Sequence, residues 1–236
     1  HVMLRLSRLL PLSLTSFGLS DNQVQGWGFG WHVGLLLMPF KGTLIGMTYH
    51  SVQHFVTHGS YSLVGGPIPL QTSSSASGNL PAYARLRVVQ FLSPKFALLF
   101  ALSHTWWGTV KTINFNINSG GVILPIASSF FPLFYRDTWR MSLGTQYKLN
   151  QKLTVKGQLS YDQAPNNPNF KSAALPGGNI FSTGAGLDWH INKVTTLGAY
   201  YSHSFIQDQS LTTAAGGNSV SKISADAILM TLTLQD

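Results

Sequence analysis

Within residues 134–165, the side chains from Trp139 to Asp162 alternate between apolar and polar, with one short polar interruption. Successive side chains of a β-strand point to opposite faces, so this alternation predicts a ribbon with one apolar and one polar surface. A short polar segment, Asn150-Gln151-Lys152, divides the stretch into two runs of about ten residues, which predicts a β-hairpin. The positions that share the apolar face are Trp139, Met141, Leu143, Thr145, Tyr147 and Leu149 in the first run and Leu153, Val155, Gly157, Leu159 and Tyr161 in the second.

The charges and aromatic residues of this hairpin distinguish it from a hairpin of a soluble β-sandwich. The polar positions include Arg140 and Lys156 within the strands, and the apolar positions are bordered by Trp and Tyr. A polar lumen, a lipid-facing apolar surface and aromatic girdles at the two interfaces are features of a transmembrane barrel. We therefore expect an all-β fold, a transmembrane antiparallel β-barrel of the outer-membrane type.

The composition agrees with such a barrel wall. Only 9% of the residues are charged, compared with about 25% in a typical soluble domain, whereas the hydrophobic content is an ordinary 44%. This combination is expected where only every second side chain faces lipid. The longest apolar runs, such as 96–102, are much shorter than the ~18 residues of a membrane helix.

The chain is basic, with a formal net charge of +8 that comes from 15 Lys and Arg residues against 7 Asp residues and no Glu. The cations are scattered singly, which argues against nucleic-acid binding and favours a positive lumen or rim that attracts anions. Cysteine is absent, so the sequence offers neither a disulfide framework nor a thiolate metal site.

The connections between the predicted strands alternate in length. Short turns are predicted at 39–42, 93–95, 150–152 and 192–194, and long loops at about 60–79, 114–133, 163–179 and 208–221. An outer-membrane barrel shows this alternation because its periplasmic turns are short and its extracellular loops are long. About ten strands are expected on this basis.

Residues 1–20 allow two interpretations. Two arginines followed by a short apolar run are typical of a signal peptide, but Pro11 interrupts the run and no small-residue cleavage site follows. The alternation of Val2, Leu4 and Leu6 instead indicates a strand. We favour the strand.

Three histidines, His50, His54 and His58, are four residues apart. In a strand they would share one face at intervals of ~13 Å, too far apart to bind one metal ion, so we interpret them as polar lining. In a helix they would align as a metal site, but Phe55 and Val56 between them favour β-structure.

Several stretches form a recognisable series in their order and spacing. They are GWGFGWHVGLLL (26–37) with IGMTYHS (45–51), LPAYARLRVVQFLSPKFALLFALSHTWW (80–107), YRDTWRMSLGTQYKLNQKLTVKGQLSYDQAP (135–165) and FSTGAGLDWHINKVTTLGAYYSHSF (181–205). Together they resemble the FadL/TodX family of outer-membrane transporters for long-chain fatty acids and other hydrophobic compounds. The resemblance implies a barrel of about fourteen strands with an N-terminal hatch. We expect 1–236 to be a single β-barrel domain that lacks this hatch and the first strands.

The function implied by the resemblance is passive uptake of long-chain fatty acids or similar hydrophobic molecules through the outer membrane of a Gram-negative bacterium. Two alternatives remain open: a channel for aromatic hydrocarbons, and a general porin- or adhesin-type barrel. We expect a monomer that contacts membrane lipids, binds no nucleic acid and needs no cofactor. Catalysis is not expected, because Asp137, Asp162 and Asp188 lie on different predicted strands and no Glu could pair with them.

An amphipathic anion needs a cation for its head group in such a lumen. Arg140 is the first candidate, because the alternation points it inward, and Arg136 and Lys156 are the next. Either Arg136 or Lys156 could instead be an ordinary lumen charge paired with Asp137 or Asp162.

The tail of the ligand needs apolar contacts. The loop predicted at 114–133 ends in an apolar segment, and the candidates for a capture groove there are Phe130, Phe131, Leu133 and Phe134. The alternative is that these side chains pack the loop onto the rim of the barrel.

Overall fold

The computed structural model of the chain describes residues 2–11, 17–65, 70–118, 128–132, 135–166, 177–212 and 218–234. These residues form fifteen strands and one short 3₁₀ helix, Trp107–Thr109. The strands are β1 (Val2–Pro11), β2 (Phe17–Phe29), β3 (His32–Leu37), β4 (Thr43–His50), β5 (Gln53–Val64), β6 (Leu70–Leu80), β7 (Tyr83–Phe91), β8 (Phe96–Thr105), β9 (Thr112–Ile117), β10 (Ser128–Pro132), β11 (Thr138–Lys148), β12 (Leu153–Asp162), β13 (Ile180–His190), β14 (Thr195–Thr212) and β15 (Asn218–Leu234). Among the described residues, no helix has the length and apolar character needed to cross a membrane.

The strands belong to two compact units, each built on one antiparallel sheet. The first unit contains 1–31, 51–82 and 107–135, and its six-stranded sheet has the order β1-β2-β5-β6-β9-β10. The second unit contains 32–50, 83–106 and 136–236, and its nine-stranded sheet has the order β15-β14-β13-β12-β11-β8-β7-β4-β3.

The nine-stranded sheet has two chemically different faces. Residues directly opposite each other in paired antiparallel strands place their side chains on the same face, so the strand register defines rows that cross the sheet. On the eight strands from β3 to β14, one row is apolar throughout: Leu35, Met47, Leu86, Leu102, Met141, Tyr161, Phe181 and Phe205. On β15 this row continues to Ser224. The neighbouring row on the other face consists of Leu36, Gly46, Arg87, Ala101, Ser142, Ser160, Ser182 and Ser204. We call these two surfaces the apolar face and the polar face.

The apolar face is the more exposed of the two. Along β13, exposed residues alternate with partly buried ones, and the exposed set contains Phe181, Leu187 and Trp189. On the preceding hairpin Leu143 and Leu159 remain 51% and 48% exposed. An apolar surface of this extent requires an apolar environment around it.

The six-stranded sheet has a small core of its own. Val24, Phe55 and Ala76 are almost completely buried, and the fully buried Thr57 donates a hydrogen bond from its hydroxyl to the Ala76 carbonyl at 2.9 Å. A side chain at Gly59 would collide with the backbone carbonyl of Gln23, so only glycine allows β5 to approach β2 this closely.

The four predicted short turns are confirmed, and residues 2–11 form the strand that we favoured for the start of the chain. Several predicted loops are wrong. The serine-rich stretch 60–79 contains the end of β5 and most of β6, because serines and threonines along a strand can pair through the backbone without any apolar alternation to reveal it. Likewise, 114–133 contains the end of β9 and all of β10.

The segment 208–221 is also mostly strand, since β14 continues to Thr212 and β15 begins at Asn218. Within 163–179, only 163–166 and 177–179 are described, and they lie outside strands. The expected number of about ten strands is also too low because the structure divides two of the predicted strands. The predicted strand that includes 26–37 is divided at Gly30-Trp31, and that at 43–58 is divided at Ser51-Val52.

Side-chain oxygens cap the short turns of the nine-stranded sheet. Asn150 Oδ1 accepts hydrogen bonds from the backbone N–H groups of Lys152 (2.8 Å) and Leu153 (2.9 Å). Asn192 Oδ1 accepts in the same way from Val194 (2.9 Å) and Thr195 (2.8 Å). These bonds supply acceptors for N–H groups that the strand ladder leaves free.

Asn150→Ala is therefore expected to lower the free energy of unfolding by about 1 kcal/mol, because two backbone donors lose their acceptor. Urea unfolding of the protein in lipid vesicles would measure the change. Gln151→Ala in the same turn is the control, since the Gln151 side chain makes no hydrogen bond to any described residue, and should change stability by less than about 0.5 kcal/mol. Equal losses from the two substitutions would contradict the capping role.

Candidate functional site

The polar face of the nine-stranded sheet carries the charged residues from which a ligand site could be built. Arg85 and Arg87 project from β7, Arg140 from β11 and Lys156 from β12. The alternation in the sequence predicts Arg140 and Lys156 on the polar side of the hairpin, and the register agrees with that prediction.

Arg140 has a carboxylate partner directly across the hairpin. Its register partner on β12 is Asp162, and the distance from Arg140 Nη1 to Asp162 Oδ2 is 3.8 Å. The two side chains are 57% and 37% exposed, so the pair is loose and partly hydrated. The sequence had suggested Asp162 as a partner of Arg136 or Lys156, and the structure instead pairs it with Arg140.

Lys156 also has a carboxylate partner, but not one of those expected. Its Nζ lies 2.5 Å from Oδ2 of Asp188 on β13. The neighbouring groups extend this contact into a polar cluster: Thr154 Oγ1 lies 3.3 Å from His190 Nε2, and His190 Nδ1 lies 2.9 Å from Thr196 Oγ1. Two of the predicted head-group cations therefore already have partners on the polar face.

Arg136 lies just before β11 and is held by the segment that follows β12. Its backbone N–H donates to the Pro165 carbonyl at 2.9 Å, and its Nε donates to the Ala164 carbonyl at 3.5 Å. These contacts fix the start of β11 and place Arg136 at the end of the hairpin opposite its turn.

The two arginines of β7 were missed by the sequence analysis. Arg85 Nε donates to Ser103 Oγ at 3.2 Å, and its guanidinium lies 5.3 Å from the centre of the Tyr83 ring. Among the described residues, no carboxylate lies within ion-pair distance of Arg85 or Arg87. The sequence feature that could have identified these two arginines is an alternation in 83–89. Arg85 and Arg87 share one side of the strand with Tyr83 and Val89, and the other side consists of Ala84, Leu86 and Val88.

A cleft of about 470 Å³ on the polar face brings several of these groups together. It is lined by Arg87, Ser142, Lys156, Gln158 and Tyr200, among others. Clefts of this volume, with a few polar groups on their walls, are typical ligand sites.

Tyr200 crosses the floor of this cleft because two glycines make room for it. A side chain at Gly184 would collide with the Tyr200 hydroxyl, and one at Gly186 would meet Tyr200 Cδ2 at 2.5 Å. The Tyr200 hydroxyl lies 3.5 Å from Gln158 Oε1. The ring therefore lies against the sheet instead of filling the cleft.

The phenylalanines predicted to form a capture groove are only partly within the described residues. Phe130 and Phe131 lie in β10, which pairs with β9 through Asn114 and Ile113, so the prediction of a loop there is wrong. Leu133 and Phe134 lie outside the described residues.

The histidines predicted as polar lining occupy two strands. His50 ends β4, and its ring stacks on those of His32 and Tyr83 at centroid distances of 5.1 and 4.2 Å. His54 and His58 lie in β5, where His54 Nδ1 is 2.9 Å from Asn79 Oδ1. The described residues contain no group of three or more His, Asp or Glu side chains that could hold a metal ion.

Comparisons with known proteins agree with the strand pattern. The family described as "Outer membrane protein transport protein (OMPP1/FadL/TodX)" matches residues 11–235. The "Long-chain fatty acid transport protein" of Escherichia coli K12 is 26% identical over 200 residues, which cover 78% of this chain and 43% of that protein. The chain thus spans less than half the length of this relative.

Two solved structures have a similar fold. A Pseudomonas aeruginosa FadL homologue superimposes with a TM-score of 0.73 at 22% identity, over 93% of this chain and 54% of that one. The toluene transporter TbuX of Ralstonia pickettii superimposes with a TM-score of 0.68 at 19% identity, over 98% and 60%. The fold is therefore a transmembrane antiparallel β-barrel of the outer-membrane type, as predicted, and the nine-stranded sheet is part of its wall. In such a wall the apolar face contacts lipid and the polar face lines the lumen.

Proposed function

The chain belongs to the outer membrane protein transport protein family (OMPP1/FadL/TodX), and from this premise we propose that it takes part in passive uptake of long-chain fatty acids or similar amphipathic anions. Members of this family are transport proteins of the outer membrane, which gives the location. The single observation that carries the proposal is the basic character of the polar face, where Arg85 and Arg87 have no carboxylate partner among the described residues.

The electrostatics of the polar face support an anionic substrate. Asp162 and Asp188 each lie next to a cation, so neither leaves an uncompensated negative charge beside the transport path. The remaining guanidinium groups make the lumen side positive, and low-dielectric walls strengthen the attraction between such a surface and an anion. Arg140, Arg136 and Lys156 contribute to this potential, and Phe130, Phe131 and Phe134 remain candidates for an apolar capture surface.

Transport without catalysis is part of the proposal. Asp162 and Asp188, the two carboxylates described above on the polar face, each lie in an ion pair with a cation and not beside another carboxylate. We further propose a monomer surrounded by membrane lipids, with no cofactor and no nucleic acid as partner.

Ligand competition tests the substrate class directly. The full-length protein in detergent should bind oleate about 10- to 100-fold more tightly than oleyl alcohol, because hydrogen bonds to a charged group contribute about 1.5–3 kcal/mol that the alcohol cannot gain. Toluene should compete weakly. Tight toluene binding with no preference for oleate would instead identify a channel for neutral aromatic hydrocarbons, and large steady currents in planar bilayers would identify a general porin.

A further inference from the structure

An amphipathic groove lies on the polar face where β3, β4 and β7 meet. Its volume is about 560 Å³, and its walls include Leu36, Leu44 and Val89 at one side and Arg85 and Arg87 at the other. The register explains the arrangement: Leu44 is opposite Val89, and Gly46 is opposite Arg87. An apolar wall and two cations therefore face the same space.

Gly46 keeps this groove open. It lies between Leu36 and Arg87 in the register, and a Cβ added to it would meet, among the described residues, only Leu36 Cδ1 at 3.9 Å. On the other side of Arg87 the register partner is Ala101, which is also small. The guanidinium of Arg87 thus has small neighbours on both adjacent strands and remains exposed.

The two arginines differ from Arg140 and Lys156, the cations that the sequence favoured. Arg140 and Lys156 face Asp162 and Asp188, so an incoming anion would have to compete with a resident carboxylate. Arg87 has no such competitor among the described residues. Arg85, two residues away and therefore ~7 Å along the strand, is oriented by Ser103 and can add a second charge to the same site.

We propose that Arg87, assisted by Arg85, binds the carboxylate of a long-chain fatty acid whose first methylene groups lie along Leu36, Leu44 and Val89. A guanidinium binds a carboxylate through two parallel N–H···O bonds, which a free Arg87 can form without breaking an existing pair. This inference rests on the proposed function, and it assigns the head-group contact to β7 instead of Arg140 on β11.

Arg87→Gln tests the assignment in the full-length protein. It should weaken oleate binding about 10- to 100-fold and leave oleyl alcohol binding within about 3-fold, because only the charged ligand uses the guanidinium. Arg140→Gln combined with Asp162→Asn is the matched control: it removes the ion pair from the same face without changing the net charge and should weaken oleate binding less than about 3-fold. Arg87→Lys keeps the charge and should give an intermediate loss.

Gly46→Val tests the groove separately. The added methyl groups enter open space, so the variant should fold but bind oleate and oleyl alcohol about equally less tightly. Failure of wild-type protein to bind either ligand would overturn the proposed function. Normal wild-type binding with an unaffected Arg87→Gln variant, or with the Arg140→Gln/Asp162→Asn double variant as the damaging one, would overturn only the assignment to Arg87.

Discussion

Leu143→Arg is expected to lower the free energy of unfolding by about 2–4 kcal/mol, the cost of placing Arg on the lipid face near the bilayer midplane. Leu143 lies on the apolar face of β11 and is 51% exposed. It is midway between Trp139 and Tyr147, whose rings are also exposed on that face. Aromatic residues mark the two membrane interfaces of outer-membrane barrels, so the centre of this strand lies close to the middle of the hydrocarbon layer.

The control for Leu143→Arg is the same change at the preceding residue, Ser142. Ser142 points to the polar face, where its register partners are Ala101 and Ser160, and an arginine there can stay hydrated. Ser142→Arg should change stability by less than about 1 kcal/mol. Urea unfolding of the two variants in lipid vesicles, followed by tryptophan fluorescence, would measure the difference. Equal losses would mean that both faces meet the same environment, which would contradict a membrane-spanning sheet.

The hairpin formed by β11 and β12 was the most predictable part of the fold. Its alternation assigned each side chain to a face, and its polar turn at Asn150 fixed the register, so Arg140 and Lys156 were placed correctly on the polar face. Their partners were harder to predict. Asp162 faces Arg140 within the hairpin, whereas Asp188 belongs to the next hairpin, and the connection between the two does not reveal the register of β13 against β12.

The strands that sequence reasoning missed lack apolar alternation. In β6 all the residues between Gln71 and Gly78 are Ser, Thr or Ala, which gives the same polar signal as a loop. Backbone pairing with β5 along the strand stabilises this segment despite its composition. Arg85 and Arg87 were overlooked for a different reason: a basic residue in a strand has no visible function until its neighbours on the same face are known, and those neighbours lie on β4 and β8.

Gly184→Ala is expected to lower the free energy of unfolding by about 1–3 kcal/mol, because the new methyl group collides with the Tyr200 hydroxyl and forces the ring off the floor of the cleft. The obstacle is the end of a mobile side chain, so removing it should relieve the strain. Tyr200→Ala in the Gly184→Ala background should therefore cost less than it does alone, with a coupling energy of about 1 kcal/mol or more.

Gly186→Ala is the comparison that separates a collision with the Tyr200 ring from a collision with the backbone. Its added Cβ would also meet the Ala199 carbonyl oxygen at 2.7 Å, and Tyr200→Ala cannot move that atom. The second substitution should therefore rescue Gly184→Ala more fully than Gly186→Ala. Double-mutant cycles from urea unfolding in vesicles would measure both couplings. Additive losses at Gly184 would show that Tyr200 does not lie over this glycine. The Tyr200 ring would then not form the floor of the cleft on the polar face.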